Sequence, residues 1–220
     1  MQNLMTVPDL AGKKVAVGFS GGPDAAALAY RLRSLGAEVL PVYVDYRKTS
    51  GGKTAKDLRA ARECAKLLGI MNPIELRAPL GHLPKSRRNR FFVKVFASFI
   101  TCRGGDMVAL GTMKHVSGER LDRATANDLD PEYLSRQGSS HGVRVLTWDT
   151  FGVQEKAAEF AGINEVGKRA LFATTSCQLW WRVECGNCSS CRARHAAFLK
   201  VFGCDPTRYR KNSRVMREKI

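Results

Sequence analysis

The chain has 220 residues, 44% of them hydrophobic and 25% charged, and its 36 Lys and Arg against 20 Asp and Glu leave a formal charge of +16. That length suits one domain with at most a small appended module, large enough to bury a core without disulfides. No apolar run of eighteen residues occurs and Met1 to Gly12 lacks signal-peptide character, so a cytoplasmic protein with no membrane span is expected, and the surplus of cations points to anionic partners: nucleotides, nucleic acid or an acidic protein surface.

Along the chain, Lys14–Phe19 (KVAVGF) is a valine-rich run bounded by glycine and reads as a buried strand. Ser20-Gly21-Gly22-Pro23-Asp24 follows, then a helix with Leu28, Leu32 and Leu35 on one face, stopped by Gly36. Val39–Val44 is a second strand. Thr54 to Asp57 has capping-box spacing and opens a helix with Leu58, Ala61, Ala65 and Leu68 in one stripe, ended by Gly69. Asn72–Leu76 is a third strand, weakened by Pro73. Phe92, Val95, Phe96 and Phe99 recur at helical spacing, and Met107–Leu110 is the next strand. His115–Ser140 is polar and irregular, too long for an idle connector, and is expected to cover the active site. Val143–Leu146 is a last strand, and Val153–Ala161 a helix closed by Gly162. Alternating strands and helices predict an α/β fold, a parallel sheet with helices on both faces.

A strand, a Ser-Gly-Gly turn and a helix form the arrangement that binds phosphates. Glycines let backbone N–H groups approach the oxygens, and the helix N-terminus adds partial positive charge. In an open parallel sheet this turn lies at the carboxyl end of a strand, where ligands bind. Pro23 fits the first helical turn, and Asp24 is a natural acid there even without a ligand. Gly51-Gly52-Lys53-Thr54 imitates the end of a Walker A loop, but the first glycine of that motif falls on Arg47 and the match fails.

The cysteines number seven, and Cys177, Cys185, Cys188 and Cys191 crowd within fifteen residues. Four thiolates at such spacing suit a structural tetrahedral Zn²⁺; an iron–sulfur cluster is the competing occupant. Cys64 and Cys102 fall in expected helices and read as buried fillers. His82, His115, His141 and His195 form no spaced cluster, so structural or exposed roles are expected for them. The stretch Thr207–Ile220 holds six cations (Arg208, Arg210, Lys211, Arg214, Arg217, Lys219) and one acid, Glu218. It reads equally as a solvated tail and as an anion-binding one.

Gly18-Phe19-Ser20-Gly21-Gly22-Pro23-Asp24 resembles the SGGxDS loop of the PP-loop ATP pyrophosphatases, which transfer AMP to a substrate and release pyrophosphate. Thr175-Ser176-Cys177 with Cys185-Gly186-Asn187-Cys188-Ser189-Ser190-Cys191-Arg192-Ala193-Arg194 and Phe198 narrows the likeness to the 7-cyano-7-deazaguanine synthase family. Thinner likenesses lie between: Val44-Asp45-Tyr46, Arg88-Asn89 followed by Phe91 and Phe92, and Asp128 with Pro131-Glu132-Tyr133. The resemblance implies an adenine nucleotide alpha hydrolase-like domain over 1–170 and a zinc-binding module with a basic tail over 171–220. It implies ATP and Mg²⁺ at Phe19, Ser20, Gly21, Gly22, Pro23, Asp24, Ala25, Ala26, Ala27 and Leu28. Ser20 and Asp24 would be catalytic, with Asp24 near the Mg²⁺–pyrophosphate. Arg88, Asn89 and Asp128 would face the substrate, Zn²⁺ would sit on the four cysteines, and the chain would be a homodimer.

The family reaction adenylates a carboxy-deazaguanine, forms an amide with ammonia, and dehydrates it to a nitrile with a second ATP. A carboxylate is a poor acceptor because its leaving group would be oxide; AMP supplies a stable one, while Mg²⁺ and backbone N–H groups offset the charge growing on pyrophosphate. Departures mark a divergent paralogue. Ala25 replaces the loop's final Ser, the Gln and His expected after Tyr46 are missing, and the Lys-x-Glu before the zinc module is absent, so its Lys reads as displaced or lost in Thr150–Lys156. The expected function is still an ATP-dependent ligase acting on a carboxy-deazapurine to give an amide or nitrile; the alternatives are conjugation of the deazapurine to an amine on a partner protein in antiviral defence, a tRNA-modifying PP-loop enzyme, and a catalytically weakened nucleotide- or nucleic-acid-binding module. Trp180-Trp181 reads as packing against the zinc knuckle, with an exposed docking surface as the alternative.

Overall fold

Val15, Ala16 and Val17 fill the middle of β1 (Lys14–Gly18) and are wholly buried, as a strand covered on both faces requires. The computed structural model describes residues 8–45, 52–78, 85–112, 126, 128–153, 155–177, 183–211 and 213–217. Tyr46, Gly51, His82, His115 and the Trp180-Trp181 pair lie outside the described residues.

β1 leads through α1 (Pro23–Ser34) to β2 (Glu38–Asp45), then α2 (Gly52–Leu68), β3 (Ile74–Arg77) and α3 (Lys85–Thr101). β4 (Met107–Ala109), α4 (Pro131–Ser139), β5 (Arg144–Leu146), a 3₁₀ turn at Trp148–Phe151, α5 (Lys156–Phe160) and α6 (Glu165–Phe172) complete the sheet domain. α7 (Ser189–Phe202) and the short α8 (Arg214–Arg217) follow the first cysteines. The five strands pair in the order β3-β2-β1-β4-β5, all parallel. The chain therefore builds outward from β1 to one edge and returns to build toward the other, which puts the topological switch point between β1 and β4. No helix among the described residues is long and apolar enough to cross a membrane.

Each face of the sheet has its own core, set by the two-residue period of strand side chains. Val15, Val17, Val39 and Ala109 face a layer that includes Leu28 and Leu32 of α1, Ala61 and Ala65 of α2, Phe160, Leu171 and Phe198. Ala16, Leu40, Val42 and Val108 face α3 and α4. In α3 the buried face is Val93, Phe96, Ala97, Phe99 and Ile100, so Phe96 and Phe99 of the expected stripe are buried while its centre is shifted by one residue; Phe92 and Val95 pack on its flank. Hydrophobicity is spread around most of this helix, so its periodicity left the direction of the core ambiguous.

Two expectations are corrected. Pro131–Ser139 is a helix rather than irregular cover: Pro131 sits at its start, Leu134 is buried against α3, and Gly138 lets β5 pass. A Cβ on Gly138 would lie 2.5 Å from Val145 Cγ2 and 2.7 Å from the Val143 carbonyl oxygen. Residues 113–125 of the same segment lie outside the described set. Cys102 is exposed in the turn after α3, not a buried filler, whereas Cys64 is buried in α2 and its thiol meets the Ala170 carbonyl at 3.2 Å. Smaller shifts are common at element ends: α2 begins at Gly52, before the expected cap, β3 spans Ile74–Arg77, and α5 covers only Lys156–Phe160 because Gly152 takes a left-handed conformation.

Phe198 wedges α7 into the first core, with ring centroids 5.3 Å from Phe160 and 5.6 Å from both Phe172 and Phe202. Phe198→Ala is expected to cost about 3–5 kcal/mol, read from urea unfolding; a loss under about 1 kcal/mol would show that α7 is not part of the core. Gly21 has φ +77, and a Cβ there would stand 2.3 Å from the Asp57 carbonyl oxygen; Gly104 has φ +71 with nothing within 4 Å. Gly104→Ala should therefore cost only the left-handed strain, about 1–2 kcal/mol, and Gly21→Ala distinctly more. Equal losses in the two variants would refute the close approach of the Gly21 turn to α2.

Candidate active site and metal centre

The turn after β1 hangs from the sheet at one end and becomes α1 at the other. The Phe19 N–H donates to the Val42 carbonyl at 2.8 Å, and Phe19 itself is buried. Ser20 is exposed, Gly22 is the N-cap of α1, and Pro23 opens the helix. The first-turn N–H groups of a helix have no acceptor within it, so this end presents donors and positive potential to the crevice at the switch point. Gly111, just past β4, closes the other side: a Cβ there would lie 3.1 Å from the Ala25 N and the Asp24 carbonyl carbon, a tight approach of backbone to backbone. Asp24 projects at this mouth, while Ala25, Ala26, Ala27 and Leu28 are buried and serve the packing of α1. The loop residues thus divide into Ser20, Gly21, Gly22 and Asp24 at the mouth and a buried remainder behind it.

Asp24 has a partner that the sequence reading counted as displaced or lost. The Lys156 ammonium, at the first position of α5, forms an ion pair with Asp24 and lies 3.5 Å from the Glu159 carboxylate. Burial lowers the affinity of Lys156 for its proton, against the pull of Glu159. Burial likewise pushes the Glu159 carboxyl up to about 7, and Lys156 opposes that rise. A short α5 standing across from α1 therefore brings a cation to the phosphate turn. The spacing Lys156-x-x-Glu159, one residue wider than the expected pattern, was its only trace in the sequence.

Arg88, Asn89 and Asp128 are brought together, but not as three free ligands. The Asp128 carboxylate accepts the Asn89 N–H at 2.8 Å and the Arg90 N–H at 3.0 Å, and the Asn89 amide donates to the Asp128 carbonyl at 2.9 Å. Both side chains are buried, so they fasten the segment before α4 to the start of α3. Burial raises the Asp128 carboxyl, with the two backbone N–H groups pulling it back. Arg88 is the half-exposed member of the trio.

The four cysteine sulfurs converge. The ligand atoms of Cys177, Cys185, Cys188 and Cys191 all lie within 4.8 Å of one another, and the Cys185–Cys191 pair is 3.9 Å apart. A tetrahedron with metal–sulfur bonds near 2.3 Å places sulfurs about 3.8 Å apart, so the cluster fits such an ion. The N–H groups of Asn187 and Cys188 both point to Cys185 Sγ at 3.4 Å, folding the Cys185–Cys188 turn around that sulfur. Burial pushes the Cys191 thiol up, so a cation among the sulfurs is needed to keep it ionised.

The cysteine cluster and the phosphate turn are tied by Glu184, a residue the sequence did not single out. Its Oε1 accepts the Thr175 hydroxyl and pairs with Lys56 of α2, each at 2.5 Å; its Oε2 accepts the Cys177 N–H at 2.5 Å. The Thr175 N–H in turn donates to the Gly21 carbonyl at 2.9 Å. Burial works against the charge of Glu184, but Lys56, Thr175 and the Cys177 N–H outweigh it and hold the carboxyl at about 2. Beside this link, the buried Arg194 guanidinium donates to the Thr174 carbonyl and hydroxyl oxygens at 2.8 Å and stacks 4.7 Å from the Phe198 ring centroid. His195 is buried and structural, its Nδ1 2.7 Å from Asp205, which also accepts the Tyr209 hydroxyl at 2.7 Å.

No family model matches the chain. Proteins named 7-cyano-7-deazaguanine synthase do. One from Prochlorococcus marinus (strain NATL2A) is 25% identical over 222 residues, spanning 83% of this chain and 91% of its own length. One from Thermoplasma volcanium is 24% identical over 234 residues, 90% of this chain and 92% of its own. A 7-cyano-7-deazaguanine synthase 1 from Sphingopyxis alaskensis is 22% identical, spanning 91% of this chain and all of its own length. Among solved structures, one described as a predicted subunit of tRNA methyltransferase from Methanocaldococcus jannaschii overlaps 72% of this chain and 74% of its own at 15% identity, with a TM-score of 0.40. With relatives of one name aligned along most of its length, the chain is a divergent relative of the 7-cyano-7-deazaguanine synthases.

Proposed function

We propose that the protein is an ATP-dependent ligase that adenylates the carboxylate of a 7-carboxy-7-deazaguanine-like acid. The observation that carries this reading is the Ser20–Asp24 turn at the switch point, with Lys156 placed against Asp24. Names shared by the relatives support the substrate class. In this reading the α1 N-terminus and the glycine N–H groups hold the phosphates of ATP, and Asp24 serves its Mg²⁺. Asp24 would hold Mg²⁺, which would supply charge neutralisation to the phosphates, and Lys156 beside it would offer its ammonium to the phosphate oxygens. The substrate carboxylate oxygen attacks the α-phosphorus, the bond to the β-phosphate oxygen breaks, and pyrophosphate leaves with the electron pair. Charge accumulates on the leaving group, where preorganised N–H donors and an ammonium stabilise it more than they stabilise the ground state. An amine then displaces AMP from the acyl carbon and gives up a proton; ammonia yields the primary amide. Ala25 does not empty the site, because the donors at the mouth are backbone groups.

Zinc is the ion we assign to the four cysteines. Its chemistry there is structural, since four protein thiolates leave no position for a reacting water. Cys177, Cys185, Cys188 and Cys191 would hold it, and Glu184 would carry the order of that knuckle to Thr175 and the phosphate turn.

With ATP, Mg²⁺, 7-carboxy-7-deazaguanine and ammonium, the protein should release pyrophosphate and form the amide. Asp24→Asn and Lys156→Met should each slow release about 100-fold or more, equivalent to roughly 2.7 kcal/mol of transition-state stabilisation. Acid-independent pyrophosphate release, or wild-type rates in both variants, would overturn the assignment. Metal analysis should find one zinc per chain, and Cys188→Ser should lose stoichiometric zinc and its protection of the Arg210 and Val215 N–H groups from exchange. Iron in its place, or full protection without metal, would remove zinc from the account.

A further inference from the structure

The segment after the first cysteine separates its charges by sign. Its only acids between 183 and 215 are Glu184 and Asp205, and both are buried: Glu184 in the Lys56–Thr175–Cys177 network, Asp205 between His195 and Tyr209. The cations Arg192, Arg208, Arg210, Lys211 and Arg214 are all exposed. They stand on a fixed frame, because residues 208–211 and 213–215 are strapped onto the cysteine knuckle. The Glu184 N–H donates to the Arg208 carbonyl at 3.2 Å and the Arg210 N–H returns to the Glu184 carbonyl at 2.9 Å. Farther on, the Arg214 N–H donates to the Asn187 side chain at 2.8 Å. The apolar side chains of the strap, Tyr209 and Val215, turn inward against the cysteines. A frayed tail would not hold this pattern: among the described residues of 183–215 both acids are buried and these five cations are exposed.

We infer that this strapped face binds the phosphate backbone of nucleic acid. Four of its five cations are arginines, whose planar forks match phosphate oxygens bidentately. With Tyr209 and Val215 buried, the described residues of the strap offer no apolar anchor for a bilayer or for the centre of a protein–protein interface, whereas a regular polyanion needs none. The same knuckle carries Glu184, and through Thr175 it adjoins the Gly21 turn, so a bound nucleic acid lies beside the mouth of the phosphate site. The first turns of α3, with Arg87, Arg88 and Arg90, open at the same carboxyl end of the sheet. This binding is independent of the adenylation reading, and absence of pyrophosphate release leaves it standing.

The test is fluorescence anisotropy with bulk tRNA and with a short DNA duplex over a range of salt. The wild type should bind at least one probe with log affinity falling linearly in log salt. Replacing Arg208, Arg210, Lys211 and Arg214 together by Gln should weaken binding about tenfold or more at low salt and flatten that slope by about 3. A control with four other exposed cations replaced (Lys13, Lys66, Lys94 and Arg136) should keep the wild-type slope. Zinc content and the urea midpoint check the fold of the strap variant, and the single changes Arg208→Gln and Arg214→Gln, each flattening the slope by about 1, test the same claim independently. Whichever probe binds tighter identifies the source of the phosphates. Failure of both probes, equal losses in the control, or a strap variant that loses only anionic vesicles or polyglutamate would overturn the inference.

Discussion

One buried carboxylate, Glu184, holds together the two parts of this protein that matter chemically. It takes the Thr175 hydroxyl and the Lys56 ammonium on one oxygen and the Cys177 N–H on the other. A buried charge is tolerated only when its acceptor sites are filled, so each partner is held as firmly as Glu184 itself. The partners belong to different elements: Lys56 to α2, Thr175 to the strand-like segment that grips the Gly21 carbonyl, Cys177 to the cysteine cluster. Distortion of any one of them is paid at the phosphate turn.

The site combines two kinds of positive potential. Backbone N–H groups at the start of α1 are fixed and cannot be titrated, which suits a phosphate that must be held in one place. Lys156 is a side-chain charge held between Asp24 and Glu159. An ammonium already lodged between carboxylates has shed much of its hydration before a nucleotide arrives. On the far side of the molecule's chemistry, Asp128 and Asn89 spend their hydrogen bonds on each other and on the α3 backbone. These bonds fix the start of α3, the turn that carries Arg88.

Local signals carried the glycine turn after β1 and the cysteine cluster because both are contiguous in the chain. Glycine at Gly21 and Gly22, proline at Pro23 and an acid at Asp24 have few other uses in that order after a buried strand. The cysteine spacing was legible for the same reason. Lys156 was missed because its role depends on a crossing between α5 and α1, elements more than a hundred residues apart, and a one-residue change in spacing hid it. The α4 helix was missed because its apolar side, Leu134 with Tyr133 and Gly138, is short and meets an α3 whose own stripe was read one position off.

By itself, the sequence determined the alternation of strands and helices, the glycine turn between the first strand and its helix, and four thiols spaced for one metal. Each of these follows from propensities and side-chain chemistry acting over a few neighbours. Tertiary structure alone decided that the fourth strand returns beside the first, that Lys156 faces Asp24, and that Glu184 joins the cysteines to the turn. Those contacts depend on how separate elements pack, and the energy of packing is set by shape and burial across the whole fold, which no short stretch of sequence contains.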